Sequence, residues 1–116
     1  MKGHSQMSNA NQVSLATFES EVLESSMPVV VDFYADWCAP CRMLSPMLDR
    51  ISKKFDRQAK IVKVNIDQEP ALARQFNVSS IPTLAFVIRG EVVGQSAGLP
   101  SESELSSVVE QLISMN

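Results

Sequence analysis

Residues 29–41 read Val-Val-Val-Asp-Phe-Tyr-Ala-Asp-Trp-Cys-Ala-Pro-Cys and hold both cysteines of the chain, Cys38 and Cys41. The nearly continuous β-branched run over 29–34 is what a central strand covered on both faces looks like. Downstream, Leu44, Leu48, Ile51 and Phe55 step by four, three and four, the buried stripe of a helix over residues 43–55. Strand, turn and helix together put both sulfurs in one helical turn at the end of a strand. Residues i and i+3 of a helix have α-carbons about 5 to 5.5 Å apart, inside the roughly 4.4 to 6.8 Å that a disulfide tolerates. The pair can therefore close and open with little backbone movement. So short a loop removes little entropy from the unfolded chain, which makes the bond a poor staple and points to redox work.

Two other residues of this stretch shape the reading. Asp32 interrupts the apolar strand; an ionised, unpaired acid buried there costs several kcal/mol, so it stays protonated or finds a partner unless it reaches an edge. Pro46 lies inside the helical stripe and removes one backbone hydrogen bond, so a kink is expected between the cysteine turn and the rest of the helix. Met43 and Met47 at helical spacing read as core fillers.

Composition limits the alternatives. A chain of 116 residues forms one domain that buries about two thirds of the surface exposed by its unfolded form, and needs no staple. Hydrophobic residues make up 45% and charged residues 20%, with a net charge of -3; this gives no electrostatic case for nucleic acid. No apolar run approaches the roughly 20 residues of a membrane span, and residues 1–12 lack the apolar centre of a signal peptide. The expectation is a reducing, cytoplasmic setting, where two cysteines serve catalysis or metal binding better than a disulfide framework.

Along the chain, residues 1–12 read as a disordered tail, partly an added extension, carrying the single histidine, His4, to which no role is given. The domain spans 13–116. Residues 13–15 suggest a short edge strand, and Thr17 an N-cap for a helix with Phe18 and Val22 on its inner face. Residues 61–66 form a second central strand with Val62, Val64 and Ile66 on one face and Ile61, Lys63 and Asn65 on the other. Pro70 opens a helix over 71–76. A strand over 84–88, a turn at Arg89-Gly90 and a partner strand over 91–95 make a hairpin. Ser101 and Glu104 form a capping box for a last helix with Leu105, Val108, Val109, Leu112 and Ile113 at helical spacing. The order β-α-β-α-β-α-β-β-α predicts an α/β fold with helices on both faces of a mixed sheet, and the working site at the carboxyl ends of the strands.

Three segments at these spacings resemble the thioredoxin family: Val31 to Cys41, Lys-Val-Asn-Ile-Asp from Lys63 to Asp67, and Ile-Pro-Thr from Ile81 to Thr83, with Gly98 before the last helix. The resemblance covers the chain from about Phe18 to the last helix. It implies the thioredoxin fold, a five-stranded mixed sheet flanked by four helices, with Pro82 cis and facing a redox disulfide. It implies that Cys38 is the exposed nucleophile and Cys41 the buried resolving thiol. Independently, the N-terminus of a helix favours a thiolate, the attacking species. By the same resemblance Asp32 is a buried carboxylate beneath Cys41 that takes or relays its proton, and Lys63 tunes it. Pro82 excludes a metal from the sulfurs, Ile81 offers backbone groups to an extended substrate, and Trp37, Ala39, Pro40, Ile81, Pro82, Gly98 and Leu99 form an apolar docking rim.

The activity implied is general protein-disulfide reduction by a monomer with no bound cofactor. Electrons come from NADPH through a thioredoxin reductase, and disulfide-containing proteins are the substrates. Ala39 stands where glycine is most familiar in the family, Tyr34 where tryptophan is frequent, Ser80 where glycine is, and Ala97 where a larger aliphatic is common; these bear on potential and partner choice. The competing readings are a thiol oxidase or isomerase, opposed by the uncharged Ala39-Pro40 pair, a zinc module, for which two thiolates supply half a site, and a non-catalytic binding subunit.

Overall fold

The computed structural model describes residues 11–116. Its sheet runs in the order β1-β3-β2-β4-β5. Four strands are full length: β2 (Val29–Tyr34), β3 (Lys60–Asn65), β4 (Thr83–Ile88) and β5 (Glu91–Ala97); β1 (Asn11–Gln12) is a two-residue edge. The helices are α1 (Leu15–Phe18), which continues as a π-helix over Glu19–Leu23, then α2 (Ala39–Lys54), α3 (Pro70–Gln75) and α4 (Glu102–Met115). β1, β3 and β2 are parallel, while β4 is antiparallel to β2 and β5 to β4.

β2 lies at the centre because it pairs on both edges, and its alternation sorts the two cores. Val29, Val31 and Phe33 join Val62, Val64, Phe18, Leu72 and Phe76 under α1 and α3. Val30 joins Ile61, Leu84 and Phe86 against Leu44, Leu48 and Ile51 of α2 and Leu105, Val109 and Leu112 of α4. Asp32 and Tyr34 share the parity of Val30, so they too belong to the α2 face.

The sequence expectations need adjustment at the amino-terminal end. The edge strand is Asn11–Gln12, paired with Val62 and Lys63, and not residues 13–15; Val13 is instead buried in the α1/α3 core. The last two residues assigned to the tail thus belong to the sheet, while residues 1–10, including His4, lie outside the described residues. The helix that follows is capped one turn earlier than expected. Ser14 is the N-cap and Thr17 the third helical residue, whose Oγ1 accepts from the Ser14 N–H at 3.0 Å. Ile66 lies just past the end of β3, and α2 continues unbroken through Pro46.

Turn and cap chemistry follow the expected residues. Arg89 and Gly90 have φ of 49° and 84°, the pair of positive angles that lets a two-residue turn match strand twist. Ser101 Oγ accepts from the Glu104 N–H at 3.1 Å, and Glu104 Oε1 accepts from the Ser101 N–H at 2.9 Å. This reciprocal cap starts the helix that covers the far end of α2. Ser101→Ala is expected to lower the unfolding free energy by about 1 kcal/mol, measured by denaturant titration; no loss would show that packing alone sets the start of α4.

Candidate functional site

The end of β2 delivers Ala35, Asp36 and Trp37 to the start of α2, and Cys38 is the N-cap of that helix. Its backbone is extended, with φ -93° and ψ 110°, and Pro40 sits in the first helical turn where a missing N–H is harmless. Cys38 Sγ accepts from the Cys41 N–H at 3.2 Å. The sulfur therefore occupies the place of a capping oxygen and meets the positive end of a 16-residue helix. Cys38 and Cys41 are joined as a disulfide with α-carbons 5.2 Å apart, as expected for positions i and i+3.

Cys38 is not exposed as the resemblance implied. It is 5% accessible and Cys41 4%, and both pack with Ala35 against Tyr34, Ile66 and Ile81. The asymmetry of the pair lies in what surrounds each sulfur. Cys38 faces the Ile81 carbonyl oxygen at 3.8 Å, whereas Cys41 lines a cleft together with Tyr34, Ser45 and Lys63. The Ile81–Pro82 peptide bond is cis, and the turn before it is tied by Thr83 Oγ1 donating to the Ser80 carbonyl at 2.6 Å. Gly98, with φ 92°, donates its N–H to the Pro82 carbonyl at 2.9 Å. A Cβ at Gly98 would meet nothing within 4 Å, so its glycine answers a backbone angle and not a lack of space. Among the described residues, neither the N–H nor the carbonyl of Ile81 makes a backbone hydrogen bond.

Of the residues expected at the docking rim, Trp37 is 67% and Leu99 41% accessible, Ala39, Pro40 and Gly98 are exposed, Ile81 is half-buried and Pro82 buried; Ile81 packs against the cysteine pair. The indole is not loose, because Trp37 Nε1 donates to Asp67 Oδ2 at 2.9 Å. Asp67 is itself placed by the turn after β3, where Asn65 Oδ1 accepts from the Asp67 N–H at 2.9 Å. At the other side of the helix start, Arg42 Nη1 donates to the Asp36 carbonyl at 2.8 Å.

On the α2 face of the sheet, register sets Asp32 beside Lys63. Asp32 is fully buried, and neither carboxylate oxygen has a hydrogen-bond partner among the described residues. Burial pushes its pKa from an ordinary 3.8 up to about 7, with the Lys63 charge pulling the other way. Lys63 Nζ donates to Ser45 Oγ at 3.2 Å and lies 4.5 Å from the centre of the Tyr34 ring. A cleft of about 300 Å³ is lined by Tyr34, Asp36, Cys41, Arg42, Ser45 and Lys63, among others; it links the inner sulfur to the lysine.

The sequence reading assigned no role to Asp67, Ser45 or Arg42. Ser45 had a signal: it lies four positions after Cys41, one helical turn along the same face. Among the described residues no group of three or more His, Cys, Asp or Glu side chains is gathered as a metal site, and no helix is long and apolar enough to cross a membrane.

A cysteine pair that closes across a helix N-cap and faces a cis-proline turn defines a protein built for thiol–disulfide exchange. The sequence model of the family named Thioredoxin matches residues 9–111. The chain is 45% identical over 105 residues to Thioredoxin 1 of Synechococcus elongatus, covering 90% of this chain and 98% of that protein. It is 44% identical to Thioredoxin 1 of Nostoc sp. with the same coverage. The thioredoxin of Synechocystis sp. is 42% identical over 107 residues, covering 92% of this chain and all of that protein. The chain belongs to the thioredoxin family. It has the thioredoxin fold and is a protein-disulfide oxidoreductase that works through a redox-active disulfide.

The buried acid leaves a mark on stability. Between about pH 4 and 7 the folded chain holds the Asp32 proton that the unfolded chain has released, so the folded state binds more protons there. The contribution of a neutral Asp32 is complete below the ordinary carboxylate range and is lost as pH rises through about 7. Above that, the ionised group costs on the order of 4 kcal/mol. Asp32→Asn is therefore expected to raise the unfolding free energy of the disulfide form at pH 8 and to give little or no gain at pH 4. Denaturant unfolding at the two pH values checks this, and equal effects at both would contradict a raised Asp32 pKa.

Proposed function

We propose that the chain reduces protein disulfides with Cys38 as nucleophile, Cys41 as resolving thiol and Asp32 as proton acceptor. The observation that carries this reading is the placement of Cys38 Sγ at the start of α2, accepting the Cys41 N–H, where an anionic sulfur is stabilised by the helix terminus.

In the reduced protein the Cys38 thiolate attacks one sulfur of a substrate disulfide, forming a mixed disulfide and expelling a substrate thiolate. Cys41 gives up its proton towards Asp32 and attacks Cys38 Sγ. The internal disulfide closes, the second substrate thiolate leaves and takes up a proton, and two electrons have passed to the substrate. A base for Cys41 must be present and neutralised at neutral pH in turn. Burial holds Asp32 at about pH 7, near the pH of operation, where a group can both accept and return a proton. Lys63, its register neighbour on β3, moderates that value from across the strand pair.

Substrate docking follows from the Ile81 backbone, which makes no backbone–backbone hydrogen bond among the described residues. An extended segment adds to it as a short strand beside the disulfide, while Trp37, Ala39, Pro40, Pro82, Gly98 and Leu99 supply apolar contact around one sulfur. Pro82 closes the side from which a metal would reach both sulfurs. The protein works as a cytoplasmic monomer with no bound cofactor, and a thioredoxin reductase drawing on NADPH reopens the Cys38–Cys41 bond. These last assignments rest on the family resemblance, and the absence of charge between the cysteines supports reduction over oxidation.

Trapping experiments test the order of attack. Cys38→Ser is expected to abolish reduction of a disulfide substrate, and Cys41→Ser to accumulate a mixed disulfide on Cys38, read by mass spectrometry of the digested adduct. An adduct on Cys41 would reverse the assignment. Asp32→Asn is expected to slow the resolution step about 10-fold or more at pH 7 while leaving the first attack within about 2-fold; stopped-flow traces showing equal slowing of both steps would remove Asp32 from proton transfer.

A further inference from the structure

Lys63 has two places to put its charge. On β3 it sits in register with Asp32, and Tyr34, two residues along β2, projects from the same sheet face as Asp32. The obvious partner is the buried acid, yet Lys63 makes neither an ion pair nor a hydrogen bond with Asp32, whose oxygens are unpartnered among the described residues. The ammonium instead donates to Ser45 Oγ at 3.2 Å and rests on the Tyr34 ring at 4.5 Å. Tyr34 is held in turn, because Gln12 Nε2 donates to its hydroxyl at 2.6 Å. Ser45 comes from α2, one turn beyond Cys41, and both line the cleft that Lys63 also lines.

We propose that Ser45 is a positioning residue for the exchange reaction: with the Tyr34 ring, its hydroxyl holds the Lys63 ammonium at the cleft beside Cys41 and so keeps it from pairing with Asp32. This rests on the reading of Asp32 as the proton acceptor. A closely paired Asp32 would be a weak base, locked as a carboxylate by an opposite charge. A Lys63 parked on a hydroxyl and a π-face keeps its charge satisfied while leaving the acid desolvated and free to take a proton. The same parking place puts a positive charge on the cleft into which the Cys41 thiol opens, where it favours the thiolate that must form before Cys41 attacks.

Other groups on this face do not offer the same control. β4 presents Leu84 opposite Asp32, and the buried face of α4 presents Leu105, Val109, Leu112 and the uncharged Ser106. α2 contributes Cys41, which titrates in the reduced form, and Arg42, which with Asp36 stands at the cleft mouth, both exposed. β3 contributes Lys63, and β2 the Tyr34 phenol. Among the described residues Lys63 is thus the one cation buried on this face, and Ser45 is its hydrogen-bond partner.

The test is the Asp32 titration in the oxidised full-length chain, followed by NMR at the carboxyl carbon, in the parent protein, Ser45→Ala and Ser45→Thr. Alanine is a strong helix former, so the first variant retains α2. Ser45→Ala frees the ammonium to approach Asp32, and the midpoint is expected to fall by about one pH unit, the scale set by an opposite charge arriving within hydrogen-bonding reach. Ser45→Thr restores a hydroxyl and is expected to restore the midpoint. In the reduced protein, the acid limb of the pH profile for resolution moves down with it. A midpoint unchanged in Ser45→Ala, or lowered equally in both variants, overturns the proposal. The titration is read without turnover, so the two readings fail separately. Equal slowing of both steps in Asp32→Asn, beside a lowered midpoint in Ser45→Ala, removes the catalytic role and leaves the positioning. An unchanged midpoint beside a resolution-selective Asp32→Asn removes the positioning alone.

Discussion

The site depends on a single junction, the residue at which the central strand's run ends and the long helix begins. β2 is hydrogen-bonded on both edges, so its direction and height in the fold are fixed by two neighbours at once. Four residues after its end at Tyr34, Cys38 must cap α2, and a sulfur there is tied to the helix through the Cys41 N–H. Shifting β2 by one residue would exchange its two faces. Asp32 would then enter the α1/α3 core away from the sulfurs, and Val31 or Phe33 would take its place beneath α2. The register of one strand thus determines both where the disulfide stands and which of its side chains face α2.

The surroundings of the pair differ in character. One part consists of the Ile81–Pro82 turn, Gly98 and the tethered indole, all uncharged, with the Ile81 carbonyl 3.8 Å from Cys38 Sγ. The other is the face between the sheet and α2, where Asp32 and Lys63, with Ser45 and Cys41 from the helix, are polar exceptions to an otherwise apolar core. Unpaired buried polar groups are destabilising. The carboxyl of Asp32 is such a group, and its cost is offset by two cores that together cover both faces of the sheet.

Much of this could be read from the sequence because the strong elements have strong periods. The β-branched run at 29–34, the 4-3-4 stripe of α2, the Arg89-Gly90 turn and the Ser101 to Glu104 cap each carry their own physical signal. The misreadings fall where local signals are weak. Asn11–Gln12 is polar and two residues long, and only its pairing with Val62 and Lys63 makes it a strand. Thr17 looks like a cap by type, but Ser14 lies in the right place once Val13 is buried. The cover over Cys38 comes from a turn more than 40 residues later, which no local pattern contains. Ser45 escaped for a similar reason: a serine in a helix is unremarkable until strand register brings a lysine beneath it.

The tether between Trp37 and Asp67 has a practical consequence. The chain contains one tryptophan and one tyrosine. The first directly precedes Cys38 with its indole anchored, and the second lies under Lys63 at the cleft that Cys41 also lines. Every strongly emitting chromophore of the molecule is therefore beside the cysteine pair, with no silent background elsewhere. Ultraviolet emission from the unlabelled protein is a local optical gauge of that region, one ring reading the start of α2 and the other the buried charge.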